Sequence, residues 1–163
     1  MTAKDPIRQT LQMSDAILTK YVEDLDDADL TMVPVEGMNP IAWQIGHLIT
    51  SERGMVEGIR PGSSPPLPEG FEAKHTKETT TSDDASKFLS KAEYLATWKA
   101  QRAATRALLD SLTEADLDAP APENVRSFCP TVGAVLNLTG LHPLMHVGQF
   151  VAVRREQKLP VVF

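Results

Sequence analysis

The 163-residue sequence predicts an all-α fold, a four-helix bundle with a long crossover between its second and third helices. Apolar residues recur at three-to-four spacing through four segments, and no segment alternates with the period of a strand. The stretch Leu25-Asp-Asp-Ala-Asp-Leu30 returns as Leu112-Thr-Glu-Ala-Asp-Leu117, each followed by a proline that opens a helix, so the chain reads as a duplicated helix pair. If each pair is an antiparallel hairpin, the intervening segment 61–84 can cross over along the whole bundle. Extended, it reaches roughly 75 Å, against about 30 Å for a 20-residue helix. A simple up-down-up-down chain remains the alternative.

The first helix is expected from Pro6 to about Glu23, with Ile7, Leu11, Ile17, Leu18 and Tyr21 on its apolar face. Asn39-Pro40 places a capping residue before a helix-opening proline. The second helix then runs through Ile41, Ile45, Leu48, Ile49, Met55 and Val56 until Arg60-Pro61-Gly62 stops it. Segment 61–84 is rich in Pro, Ser, Thr, Gly and Lys and reads as a loop, with Ser82, Asp83 or Asp84 available to cap the next helix. The third helix is expected from about Asp84 to Leu112, burying Phe88, Leu89, Leu95, Trp98, Ala104, Leu108 and Leu109. Pro130 opens the fourth and most apolar helix, which should be central. The terminal Leu159 to Phe163 is too short for an element and is expected to pack down on the bundle.

This length suits a single domain over residues 1–163. A formal charge of −6 and the lack of any sizeable basic cluster argue against a nucleic-acid partner. No apolar run approaches the roughly 20 residues of a membrane span, and the start MTAKDPIRQT lacks the order of a signal peptide, so a cytoplasmic protein with no membrane partner is expected. The single cysteine, Cys129, leaves nitrogen and oxygen as the ligands for any metal.

Four histidines then carry the chemistry. His142 and His146 lie one helical turn apart on the same face of the fourth helix and can present two imidazoles to one point. His47 sits in the apolar stretch Trp43-Gln-Ile-Gly-His-Leu-Ile, where Gly46 leaves room for a close neighbour. Three neutral imidazoles with open positions describe a reactive divalent-metal site rather than a structural one. The alternative is three core histidines satisfied by hydrogen bonds. Pro143, between the pair, removes a backbone donor and frees the Thr139 carbonyl, so a local kink is expected.

The stretch Asn39-Pro-Ile-Ala-Trp-Gln-Ile-Gly-His-Leu48, together with His142-x-x-x-His146-x-Gly148-Gln149 and Arg154-Arg155, resembles the DinB/YfiT-like superfamily of metal-dependent enzymes over nearly the whole chain. The resemblance implies a four-helix bundle with a long crossover in which His47, His142 and His146 hold a divalent metal. Zinc or nickel is the ion implied first, with iron or another first-row metal next. It also implies a homodimer, and a small-molecule substrate met by a low-molecular-weight thiol. Pro143 and the proline-rich 61–84 loop depart from the family pattern, though no ligand is lost.

Other residues yield simpler readings. His142-Pro-Leu-Met-His146 lacks the glutamate of a zincin, and no Glu-x-x-His pair supports a di-iron site. His75, beside Lys74 and Lys77, is expected in solvent, and Cys129 is expected to be inert. Gln44, Glu52 and Gln149 could contact the site or face water; Trp43 and Trp98 are expected in the core. The functional expectation is a metal-dependent S-transferase or hydrolase acting on a small molecule. Its alternative is a non-catalytic metal-binding or stress-response bundle.

Overall fold

The computed structural model describes residues 2–80, 84–160 and 162. Their regular structure is all-helical, and one isolated bridge between Pro120 and Thr131 is their only β pairing. Helix α1 spans Lys4–Val22, α2 Asp27–Thr31, α3 Ile41–Ile59, α4 Lys91–Ser111, α5 Glu114–Asp118 and α6 Val132–Glu156. No helix among the described residues is long and apolar enough to cross a membrane.

The repeated motif has a structural meaning. Its two copies are the short helices α2 and α5, and each is nucleated by a reciprocal capping box, Asp26 with Asp29 and Thr113 with Asp116. The flanking leucines, Leu25 and Leu30 in one copy and Leu112 and Leu117 in the other, are buried and anchor each turn to the core. Both helices start next to the expected prolines, but Asn39 is not the cap of α3: Pro40 is its N-cap, without a side-chain cap, and Pro130 stands one residue before Thr131, the N-cap of α6.

Four long helices pack pairwise: α1 on α6 and α4, and α3 on α4 and α6. Polar contacts of α3 and its C-cap residue with α4 advance together along both helices, from Glu52 with Thr105 to Arg60 with Ser111. Those between α1 and α4 run in opposite order, from Arg8 with Asp110 to Asp15 with Arg102. The apolar core divides into a cluster around Ile45, Leu48, Trp98 and Phe150, another around Leu11, Val56, Leu109 and Leu136, and a small third of Ala121, Cys129 and Val135.

The connection from α3 to α4 is better organised than its composition suggests. It contains 3-10 turns at Glu72–His75, Lys77–Thr79 and Ala85–Lys87, and it buries Phe71 and His75. Two isolated aromatic anchors leave no periodic signal in a sequence, which is why they read as loop. Helix α4 starts at Lys91, not near Asp84. Ser90 caps it in a box with Glu93, whereas Asp84 caps only the short turn at Ala85–Lys87; Ser82 and Asp83 lie outside the described residues. At the other end Leu159 packs against the core and its N–H donates to the Arg154 carbonyl at 2.9 Å; Val161 and Phe163 lie outside the described residues.

Helix α6 continues through Pro143. Proline cannot donate to the Thr139 carbonyl, and a buried carbonyl without a donor would cost about 1–3 kcal/mol. Here Arg102 Nη2 donates to it at 2.8 Å. That guanidinium is itself buried, 3.0 Å from Asp15 Oδ1 and 3.3 Å from Glu52 Oε2, with Trp98 beneath it at 4.3 Å. Glu52 therefore faces α4 and not solvent, and burial pushes its carboxyl up to about 7 against the opposing pull of Arg102.

Candidate metal centre

The site forms where α3 and α6 pack together. Beyond the N-cap Pro40, the apolar face of α3 turns Ile45 and Leu48 into the core, and His47 is left half-buried toward α6. On α6, His142 and His146 stand at the i, i+4 spacing that puts them on one face. The three histidines offer nitrogen atoms that all lie within 4.8 Å of one another. Ring centroids are 5.3 Å apart for His47 with His142, 5.3 Å for His47 with His146 and 4.9 Å for His142 with His146.

Hydrogen bonds around the rings fix how they are presented. Gln44 is fully buried, and its Nε2 donates to the Asn39 carbonyl at 2.7 Å, so its Oε1 must face the other way. That oxygen lies 2.9 Å from His146 Nδ1, which must therefore carry the proton and donate. The tautomer leaves a lone pair on His146 Nε2, which sits 3.2 Å from His142 Nε2. Trp43 stacks on His47 with centroids 5.0 Å apart and planes 5° apart, while its indole N–H donates to the Thr76 carbonyl. Both Trp43 and Trp98 are in the core, as expected. Ser51, unmarked in the sequence, brings its hydroxyl 3.5 Å from His47 Nε2.

All three imidazoles are held in the form that coordinates metal. Burial lowers His47 and His142, with His47 adding to the effect on His142, and burial together with the neighbouring histidines lowers His146 to about 4. Near neutral pH each ring is neutral with a lone pair to offer. Among the described residues no fourth histidine, cysteine or carboxylate joins the cluster.

A cavity of about 520 Å³ opens onto His47 and His142, with walls from α3, α6 and the segment between α5 and α6. That last wall, Asn124, Val125 and Phe128, carried no sequence signal because it comes from an aperiodic loop.

The chain's similarity to known proteins agrees with this geometry. A family model described as the DinB superfamily matches residues 10–150. The chain belongs to the DinB superfamily. No curated protein and no solved structure matches it. Within this DinB-superfamily chain the matched span includes all three clustered histidines.

The fourth histidine corrects the sequence reading. His75 is not in solvent but 5% exposed, its Nδ1 2.7 Å from the Phe71 carbonyl and its Nε2 2.7 Å from Tyr94 Oη. Its ring fills the space above Gly46, where any Cβ would collide with it. Gly46 thus does admit a close neighbour, but the neighbour is a side chain of the long connection. Gln149 is exposed and contributes nothing to the cluster, and burial raises the Cys129 thiol, in keeping with an inert cysteine.

Proposed function

We propose that this chain is a divalent-metal enzyme in which His47, His142 and His146 hold one zinc or nickel ion for chemistry on a small molecule. The observation that carries the reading is the convergence of three neutral imidazoles, two of them lining a cavity, with no fourth histidine, cysteine or carboxylate in the cluster among the described residues. The residues fit the ion: Gln44 fixes the His146 tautomer so that its free nitrogen faces the cluster, as acceptors behind ligating histidines commonly do. When bound, such an ion supplies Lewis acidity that makes a thiol or water a nucleophile at neutral pH.

The chain's own residues do the remainder. Trp43 holds the plane of His47, Gln44 holds His146, and the cavity, with Met55, Leu138 and Phe128 among its walls, admits the reactants. Thiol transfer from a low-molecular-weight thiol to an electrophile is the first reaction class and hydrolysis the second. The topology belonging to this reading is a single-domain four-helix bundle with a long crossover, supported by the same-direction contacts of α3 with α4. A cytoplasmic homodimer that engages neither nucleic acid nor membrane completes it.

The test is to load the chain with zinc or nickel and assay glutathione addition to 1-chloro-2,4-dinitrobenzene and hydrolysis of 4-nitrophenyl acetate. Turnover that disappears in His47→Ala is expected. A fully loaded protein inert toward both would favour the non-catalytic bundle.

A further inference from the structure

The cavity over the histidines lacks any charged side chain. Its walls are Met55, Val125 and Leu138, with Thr50, Ser51 and Asn124 as neutral polar groups. This stands out in a chain with 38 charged residues, 22 acidic and 16 basic, in its 163. Phe128 and Met145, 62% and 69% exposed, stand at the rim, and they are two of only five large apolar side chains exposed among the described residues. An ionic ligand body would shed water here with no opposite charge on the walls to replace it, at a cost of several kcal/mol. An apolar body would instead gain roughly 25 cal/mol per Å² buried. The cavity volume of about 520 Å³ lies within the usual range for small-molecule sites.

We propose that this cavity binds a small molecule with an uncharged, largely apolar body of two or three rings, whose reactive or ligating end is presented to His47 and His142. The proposal rests on the metal reading for the fate of that end, but its apolar selectivity is a property of the walls. Val125 and Phe128 reach the cavity on the α5–α6 loop, and Met145 reaches it one residue from His146, so selectivity and metal site share helix α6.

The probe pair is N-phenyl-1-naphthylamine, which is uncharged, and 8-anilino-1-naphthalenesulfonate, which has nearly the same shape and carries one sulfonate. Fluorescence titration of the metal-free full chain should give one saturable site for the uncharged probe and at least tenfold weaker binding of the sulfonate. Phe128→Asp and Met145→Asp, both at exposed positions that a folded chain tolerates, should each weaken the uncharged probe about tenfold, while Met13→Asp on α1 should leave it unchanged. Equal affinity for the two probes, or indifference to the rim substitutions, would overturn the proposal. So would a native dimer that Phe128→Asp converts to monomer with no effect on probe binding, since the face would then be an interface between copies. Metal uptake measured after reconstituting the same preparations with zinc or nickel separates the two readings: probe binding by a chain that takes up no metal upholds this proposal and removes the metal one.

Discussion

Arg102 donates to the backbone carbonyl of Thr139 at 2.8 Å, supplying from α4 the hydrogen bond that Pro143 cannot supply within α6. One turn of the helix bearing the histidine pair is therefore closed by a side chain from another helix. Arg102→Leu should destabilise the protein by about 3–5 kcal/mol, because it leaves the buried Glu52 carboxyl without its cationic partner and the Thr139 carbonyl without its donor. Pro143→Ala restores a backbone donor, so in that background the loss should shrink by about 1 kcal/mol. Urea unfolding of the four proteins measures this coupling; strict additivity would show that the carbonyl contact carries no energy.

Gln44 is a buried amide with both ends committed, one to Asn39 and the other to His146. Gln44→Leu should weaken metal binding by about 10–100-fold, the usual effect of removing an acceptor behind a ligating histidine. Gln44→Glu, which keeps an acceptor, should retain most of the affinity. Competition with a chromogenic chelator reads both, and equal losses in the two variants would argue against the orienting role.

Gly46→Ala would place a methyl group in the His75 ring. Overpacking of this kind costs about 1–3 kcal/mol or more. In the Gly46→Ala background, His75→Ala should recover part of that loss, although alone it destabilises by opening a cavity. Thermal melts across this double-mutant cycle would reveal a favourable interaction between the two substitutions; independent losses would mean that the ring moves aside freely.

The metal-free protein should lose stability as pH falls from about 6.5 toward 4. Burial holds His75 and His146 at about 4, below the ordinary 6.5, so the unfolded chain takes up protons in that window before the native one does. Their contribution is complete above pH 6.5 and is lost as pH falls through about 4. Glu52, pushed up to about 7 from 4.5, acts in the opposite sense and costs stability as pH rises through that range. His75→Phe should flatten the slope and Glu52→Gln should steepen it in denaturant midpoints taken from pH 4.5 to 6.5. Unchanged slopes would mean that neither group is held away from its ordinary value.

Periodic features were legible in the sequence and isolated ones were not. The starts of α3 and α6, the repeat that became α2 and α5, and the spacing of His142 and His146 all arise from local rules of capping and helical period. The start of α4 was written in Ser90 and Glu93, a capping box overshadowed by the earlier Ser-Asp-Asp run. His75 could not be placed, because its lysine neighbours suggest solvent while its burial depends on Gly46 and Tyr94, both distant in sequence. The same applies to Arg102. Pro143 announced a carbonyl in need of a donor, but only the packing of α4 against the other helices identifies which side chain answers.

The most direct test of the central claim is the metal content of untagged protein, measured by elemental analysis after reconstitution with zinc and, separately, with nickel. Near one ion per chain in the native protein, falling to background in His47→Ala and in His142→Ala, is the predicted result. Stoichiometric metal retained by His142→Ala, or none taken up by the native chain, would contradict the three-histidine site.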